Sequence, residues 1–178
     1  MRNHRSGYQS GFIHNLILPS LLLMGVVMAG ISHMYGQSRT TQNIAASVDT
    51  ARVQLEQIRA VLNLCYVVYP TGNNGITPAY RNYPASPMDG SWTSMRDAEC
   101  PGDPGRTVWL TARETLTTPG MYISGWEYQN TAAGVKVRVS AAAAGDTRGQ
   151  AVLSQIASRI DSSQKTVTAD TVEILIVQ

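Results

Sequence analysis

Histidine is scarce in this chain and badly placed for chemistry. His4, His14 and His33 all lie near its start, so the rest holds no material for a histidine-based triad or a histidine-ligated metal. Charge is also sparse: 15% of residues are charged and the net charge is +2, which gives no field to steer nucleic acid from a distance. Arg81, Arg96, Arg106 and Arg113 fall near aromatic residues, a mixture suited to single strands. They alternate with acids and form no stripe, which argues against that partner. Neither a Walker pattern nor Gly-x-Gly-x-x-Gly occurs, and Asp146-Thr-Arg-Gly opens a helix rather than cradling phosphate. Asp97, Glu99 and Asp103 surround Cys100 at a spacing that fits no calcium loop and read as solvated loop charge. No catalytic residue, cofactor or metal site emerges, and the expectation is a protein without enzymatic activity.

What the chain does have is a long apolar start. Phe12 to Ile31 carries no formal charge; as helix it rises about 30 Å, the hydrocarbon thickness of a bilayer. A membrane span is expected there. From Ile44 the apolar positions run Val48, Ala51, Leu55, Ile58, Leu62, Cys65 in alternating steps of four and three, a heptad seam. A seam this short before a globular region buries against that region's own sheet, or else meets a partner helix. Only Gly36 interrupts between the two stretches, at a cost of about 1 kcal/mol. One long helix is therefore expected, ending near Tyr69 where Pro70 and Thr71-Gly-Asn-Asn-Gly75 follow. On its wet side would stand Gln54, Glu56, Gln57, Arg59 and Asn63.

The organisation that follows is a basic leader (1–11), a transmembrane helix half (12–35), an amphipathic half (36–69) and one head (66–178). Within the head, 66–106 is proline-punctuated loop and 107–178 supplies the sheet and a second helix. Strands are expected at Thr107–Thr111, Gly120–Gln129, Val135–Ala141 and Val172–Val177, with a hairpin loop over Asn130–Gly134. A helix is expected from Thr147, where Thr147 and Gln150 form a capping-box pattern, to about Ser162. The fold class is α+β: a long N-terminal helix packed on an antiparallel sheet of about four strands, with one extra helix.

Arg2, His4 and Arg5 before the apolar run carry no acid among them, and the positive-inside bias then sets the N-terminus in the cytoplasm and the head in the periplasm, as a single-pass inner-membrane protein. In that oxidising compartment Cys65 and Cys100 can pair; two independent thiols are the alternative. A cleaved signal peptide competes, but its best site, Gly30 and Ser32 before His33, is poor.

A short basic leader ending in Gly11, a following Phe12, an apolar run, an amphipathic helix and a loop-and-strand head resemble the type IV pilin and pseudopilin family. The resemblance implies cleavage after Gly11 by a prepilin peptidase, and assembly with other pilin subunits and a pilus or secretion machinery, in the membrane or in an extracellular filament. Most members carry Glu at the fifth mature position; this chain has Leu16. That departure points to a minor pilin or pseudopilin, because the family Glu aligns one subunit on the next. Pro19 removes a helix bond near the start of the run, and Gly25 and Ala29, four apart, permit close helix approach. Two rivals stand beside this reading: an uncleaved single-pass periplasmic subunit of a conjugation or secretion complex, and an exported soluble binding protein.

Overall fold

The computed structural model describes residues 10–69, 80–86, 90–101, 107–109, 116 and 119–178, with side chains described from Leu21 onward. The chain divides into two compact units, residues 1–42 and 43–178. Helix α1 is assigned over Ser10–Val68, through both Pro19 and Gly36. Residues 1–9 of the expected 1–11 leader lie outside the described residues, as do the side chains of Phe12, Leu16 and Pro19 and the surroundings of Gly11.

The expected membrane span is corrected by the structure. Among the described residues no helix is long and apolar enough to cross a membrane. The described apolar run, Leu21 to Ile31, ends at Ser32 and His33, with Gln37, Ser38 and Arg39 soon after. Such a run rises only about 16 Å, half of a bilayer's hydrocarbon thickness. The single-pass inner-membrane placement, with its cytoplasmic N-terminus and periplasmic head, falls with it.

The second unit is α+β. Its sheet has five antiparallel strands in the order β1-β2-β3-β5-β4: β1 is Thr93–Ser94, β2 Glu127–Thr131, β3 Gly134–Ser140, β4 Lys165–Val167 and β5 Thr171–Val177. The alternation along β3 works as its pattern implies. Val135, Val137 and Val139 are buried, while Lys136, Arg138 and Ser140 line the wetter face. Tyr128, Val172 and Ile174 complete the dry face. Helix α2, Thr147–Ser158, and the head half of α1 both deliver their apolar residues into this one core, which holds Leu55, Ile58 and Leu62 from α1 and Val152, Leu153 and Ile156 from α2.

The sheet thus differs from expectation. Thr107 makes only an isolated bridge with Glu99, and Ile123 another with Ala141, so no strand is formed at Thr107–Trp109 or over the first part of Gly120–Gln129; residues 110 and 111 of the expected strand lie outside the described residues. Val108 and Trp109 are buried instead, and the Trp109 indole N–H donates to the Met95 carbonyl at 3.1 Å; their bulk fills core rather than ladder. The extra strands, β1 and β4, are too short to show any period. The cap of α2 is Asp146, one residue before Thr147: its carboxylate accepts from the Arg148 N–H at 3.1 Å. Gln150 donates not to the cap but to Asp170 Oδ1 at 2.9 Å.

Two glycines set close approaches. A Cβ at Gly149 would lie 2.7 Å from the Tyr122 carbonyl oxygen, so α2 can rest on that backbone only without a side chain. Gly120, at φ 152°, lies against Ser47 of α1 and leaves no room for one either.

Burial in this core pushes the Tyr128 phenol well above the ordinary 10.0, with Tyr83 adding to the rise and a hydrogen bond with Asn130 opposing it. Folding therefore favours the neutral phenol, and its contribution to stability is complete below about pH 10 and lost as pH climbs through the folded-state value. In an alkaline absorbance titration the exposed tyrosines are expected to ionise first, with a late component that coincides with unfolding. Tyr128→Phe should diminish that component, to which Tyr83, also raised by burial, contributes; an undiminished component would refute the assignment.

Candidate assembly surface on the long helix

In the head half of α1 one face is closed. Val48, Ala51, Leu55, Ile58, Leu62 and Cys65 are buried and Ile44 is half-buried, so the heptad seam packs on the chain's own core. Cys65 is bonded to Cys100 with Cα atoms 5.5 Å apart, which ties the loop region back to the helix end. On one flank Gln54, expected on the wet side, is buried and accepts a hydrogen bond from the Trp126 indole N–H at 3.0 Å. Its amide is what lets the largest side chain of the core bring a polar atom inside.

The opposite face of the same helix is open. Ala46, Thr50, Val53, Gln57, Ala60, Leu64 and Val67 repeat the four-three spacing two positions on from the buried seam, and every one is exposed. Two residues along a helix is a turn of about 200°, so this second seam looks away from the sheet. Val53 is 58% exposed, Leu64 46% and Val67 70%. Thr50 and Gln57 interrupt its apolar character, which hides the seam from a reading that scores only large hydrophobics. The signal was in the spacing.

The unit at residues 1–42 offers the same kind of surface. Leu21, Leu22, Leu23, Val26, Val27 and Met28 are all more than half exposed, as are Met34 and Tyr35 further on. Gly25 and Ala29 are exposed too, and a Cβ on Gly25 would meet nothing within 4 Å. Polar side chains on this stretch satisfy one another or the helix: Gln37 Nε2 lies 3.0 Å from His33 Nε2, and the Thr40 hydroxyl donates back to the Gly36 carbonyl at 3.0 Å.

Elsewhere among the described residues the exposed large apolar side chains are scattered, Met121 and Val167 among them. On the wet face of the sheet Arg138 donates to Glu127 at 2.6 Å and lies 4.4 Å from the Trp92 ring centre. Among the described residues no group of three or more His, Cys, Asp or Glu is placed to hold a metal ion; Asp103 lies outside them.

The resemblance to pilins gains no support or contradiction from relatives: no protein-family model matches this chain, no curated protein matches it, and no solved structure matches it.

Proposed function

We propose that this chain is a structural subunit of the minor pilin or pseudopilin kind, which assembles with copies of itself or related pilin subunits through the open faces of α1. The observation that carries the reading is the second seam: a helix already anchored in its own core presents a further row of small and apolar residues to solvent. Scattered exposed apolar residues need no explanation, but a row at heptad spacing is the pattern of a helix that expects a neighbour. Small positions such as Ala46, Ala60, Gly25 and Ala29 allow the close helix contact that such packing uses. Cleavage after Gly11 by a prepilin peptidase belongs to the same reading, as does engagement of a pilus or secretion assembly machinery.

The test is sedimentation and electron microscopy of the purified chain with the double variant Leu64→Glu and Val67→Glu beside it. Placing two carboxylates in a closed helix contact leaves them buried without partners. The unaltered chain is expected to form polymers, and the variant to need at least roughly ten times the concentration to do so, with its head melting unchanged. A chain that stays monomeric up to millimolar concentration, or a variant that polymerises equally well, would overturn the proposal.

A further inference from the structure

The open seam of α1 is made of two unlike rows. Ala46, Val53, Ala60 and Val67 occupy the d positions of its heptads, and Thr50, Gln57 and Leu64 the a positions, all of them exposed. Gln57 carries an amide with two donors and an acceptor, and it bonds to no other side chain among the described residues. Closing the seam against another helix takes that amide out of water, where an unpaired polar group is costly. What stands opposite Gln57 therefore selects the alignment. Parallel helices in register set a against a and d against d, so Gln57 meets Gln57 and Thr50 meets Thr50, and each side chain is able to bond its own kind. A shift of one heptad sets Gln57 of one copy against Leu64 of the other, and antiparallel helices set it against Val53 or Ala60. Both strand at least one amide.

Charge favours the same direction. Along one flank of the seam the g positions are Asp49, Glu56 and Asn63, all exposed; along the other the e positions are Ser47, Gln54 and Val61, uncharged and buried or half-buried. Antiparallel pairing lays g beside g, so the two acid rows would meet. Parallel pairing lays each acid row beside the partner's uncharged row. The two carboxylates already have arginine partners, Glu56 with Arg59 at 3.1 Å and Asp49 with Arg159 at 3.7 Å. A neutral neighbour leaves those pairs as they are, whereas a second acid row competes for them.

We infer that the open seam closes on the same seam of a second copy, parallel and in register, with Gln57 bonded to Gln57 across the contact. Such a pair uses one patch twice and is closed on this face, so growth beyond two copies falls to the exposed apolar residues of the first unit. A single polar layer costs some stability and fixes register in return. This inference rests on the assembling-subunit reading and adds to it the direction and register of the partner.

Cysteine crosslinking in the full chain reads the register, since Val53 and Ala60 are both exposed and their replacement leaves the core untouched. Chains carrying Val53→Cys are mixed with chains carrying Ala60→Cys, assembled and oxidised, and the new links are mapped on peptides in which Cys65 and Cys100 remain paired. Links of position 53 to 53 and of 60 to 60 are expected to exceed links of 53 to 60 roughly tenfold. Adding Gln57→Leu to both chains should lower the concentration for half-assembly roughly tenfold and bring the 53-to-60 links up to the level of the others. A merely solvated glutamine would leave the link pattern unmoved by that change. An unmoved pattern, a predominance of 53-to-60 links before it, or polymers linked at neither position overturn the in-register pair and leave helix-borne assembly standing. A chain that forms no polymer at all overturns both.

Discussion

Replacing Cys65 and Cys100 together with alanine is expected to lower the stability of the head by about 4 kcal/mol while leaving the fold's apolar surface nearly intact. The bond closes a separation of 35 residues, and opening it returns that loop's freedom to the unfolded chain. Alanine is the right replacement because Cys65 is fully buried and serine would add an unpaired hydroxyl. Small domains are stable by only about 5–15 kcal/mol, so the loss should move a guanidinium midpoint far down. Measuring that midpoint with and without dithiothreitol separates the bond from the substitutions. An unchanged midpoint in reductant would show that the loop is held by other means.

Those other means are the subject of the second expectation: Asn130→Ala should cost about 3 kcal/mol, counted as roughly 1 kcal/mol for each hydrogen bond its side chain makes. Asn130 is 1% exposed. Its amide donates to the carbonyls of Tyr80 at 2.8 Å and Pro84 at 3.2 Å and accepts from the Tyr80 N–H at 3.2 Å. The main chain of Asn130 is matched by Ser86, whose hydroxyl donates to its carbonyl at 2.9 Å and accepts from its N–H at 3.2 Å. Tyr128 adds a bond from its hydroxyl to Pro84 at 2.8 Å. One side chain on β2 therefore clamps the segment Tyr80–Ser86, which the tyrosine pairs at Tyr66, Tyr80 and Tyr83 pack from the helix side. Hydrogen exchange should show the loss first in the amides of that segment. Asn130→Asp, which would set a buried carboxylate oxygen against the Tyr80 and Pro84 carbonyls, should cost at least as much as alanine at neutral pH; equal stability of all three forms would refute the clamp.

The disulfide and Asn130 mark where sequence reasoning reaches and where it stops. The buried seam on α1 was legible because the period of a helix repeats over several turns, and the strands β3 and β5 because β-branched residues alternate or cluster. The pairing of Cys65 with Cys100 was legible because there was no other cysteine to pair. Asn130 was legible only as a turn residue, since its burial depends on partners 44 to 50 positions away. Gln54 is the same case, its partner Trp126 standing 72 residues off. Thr107 to Trp109 carries strand-like composition, yet its apolar side chains serve the core through Val108 and Trp109 while the backbone makes a lone bridge. The expected membrane span counted apolar residues from Phe12; the described part of that run is too short before Ser32 and His33 break it. The open seam escaped because two of its members are Thr50 and Gln57.

The outermost strands carry a further consequence. β1 is two residues long, and β4 is three and begins with Lys165, whose ammonium group is turned back to donate to the Ile160 carbonyl at 2.8 Å. Stubs of that length offer a visiting strand too few amide and carbonyl groups to zip onto, the usual defence against fibrils of the cross-β type. With such stubs at its edges the folded head can be concentrated without its ladder becoming the template for added strands.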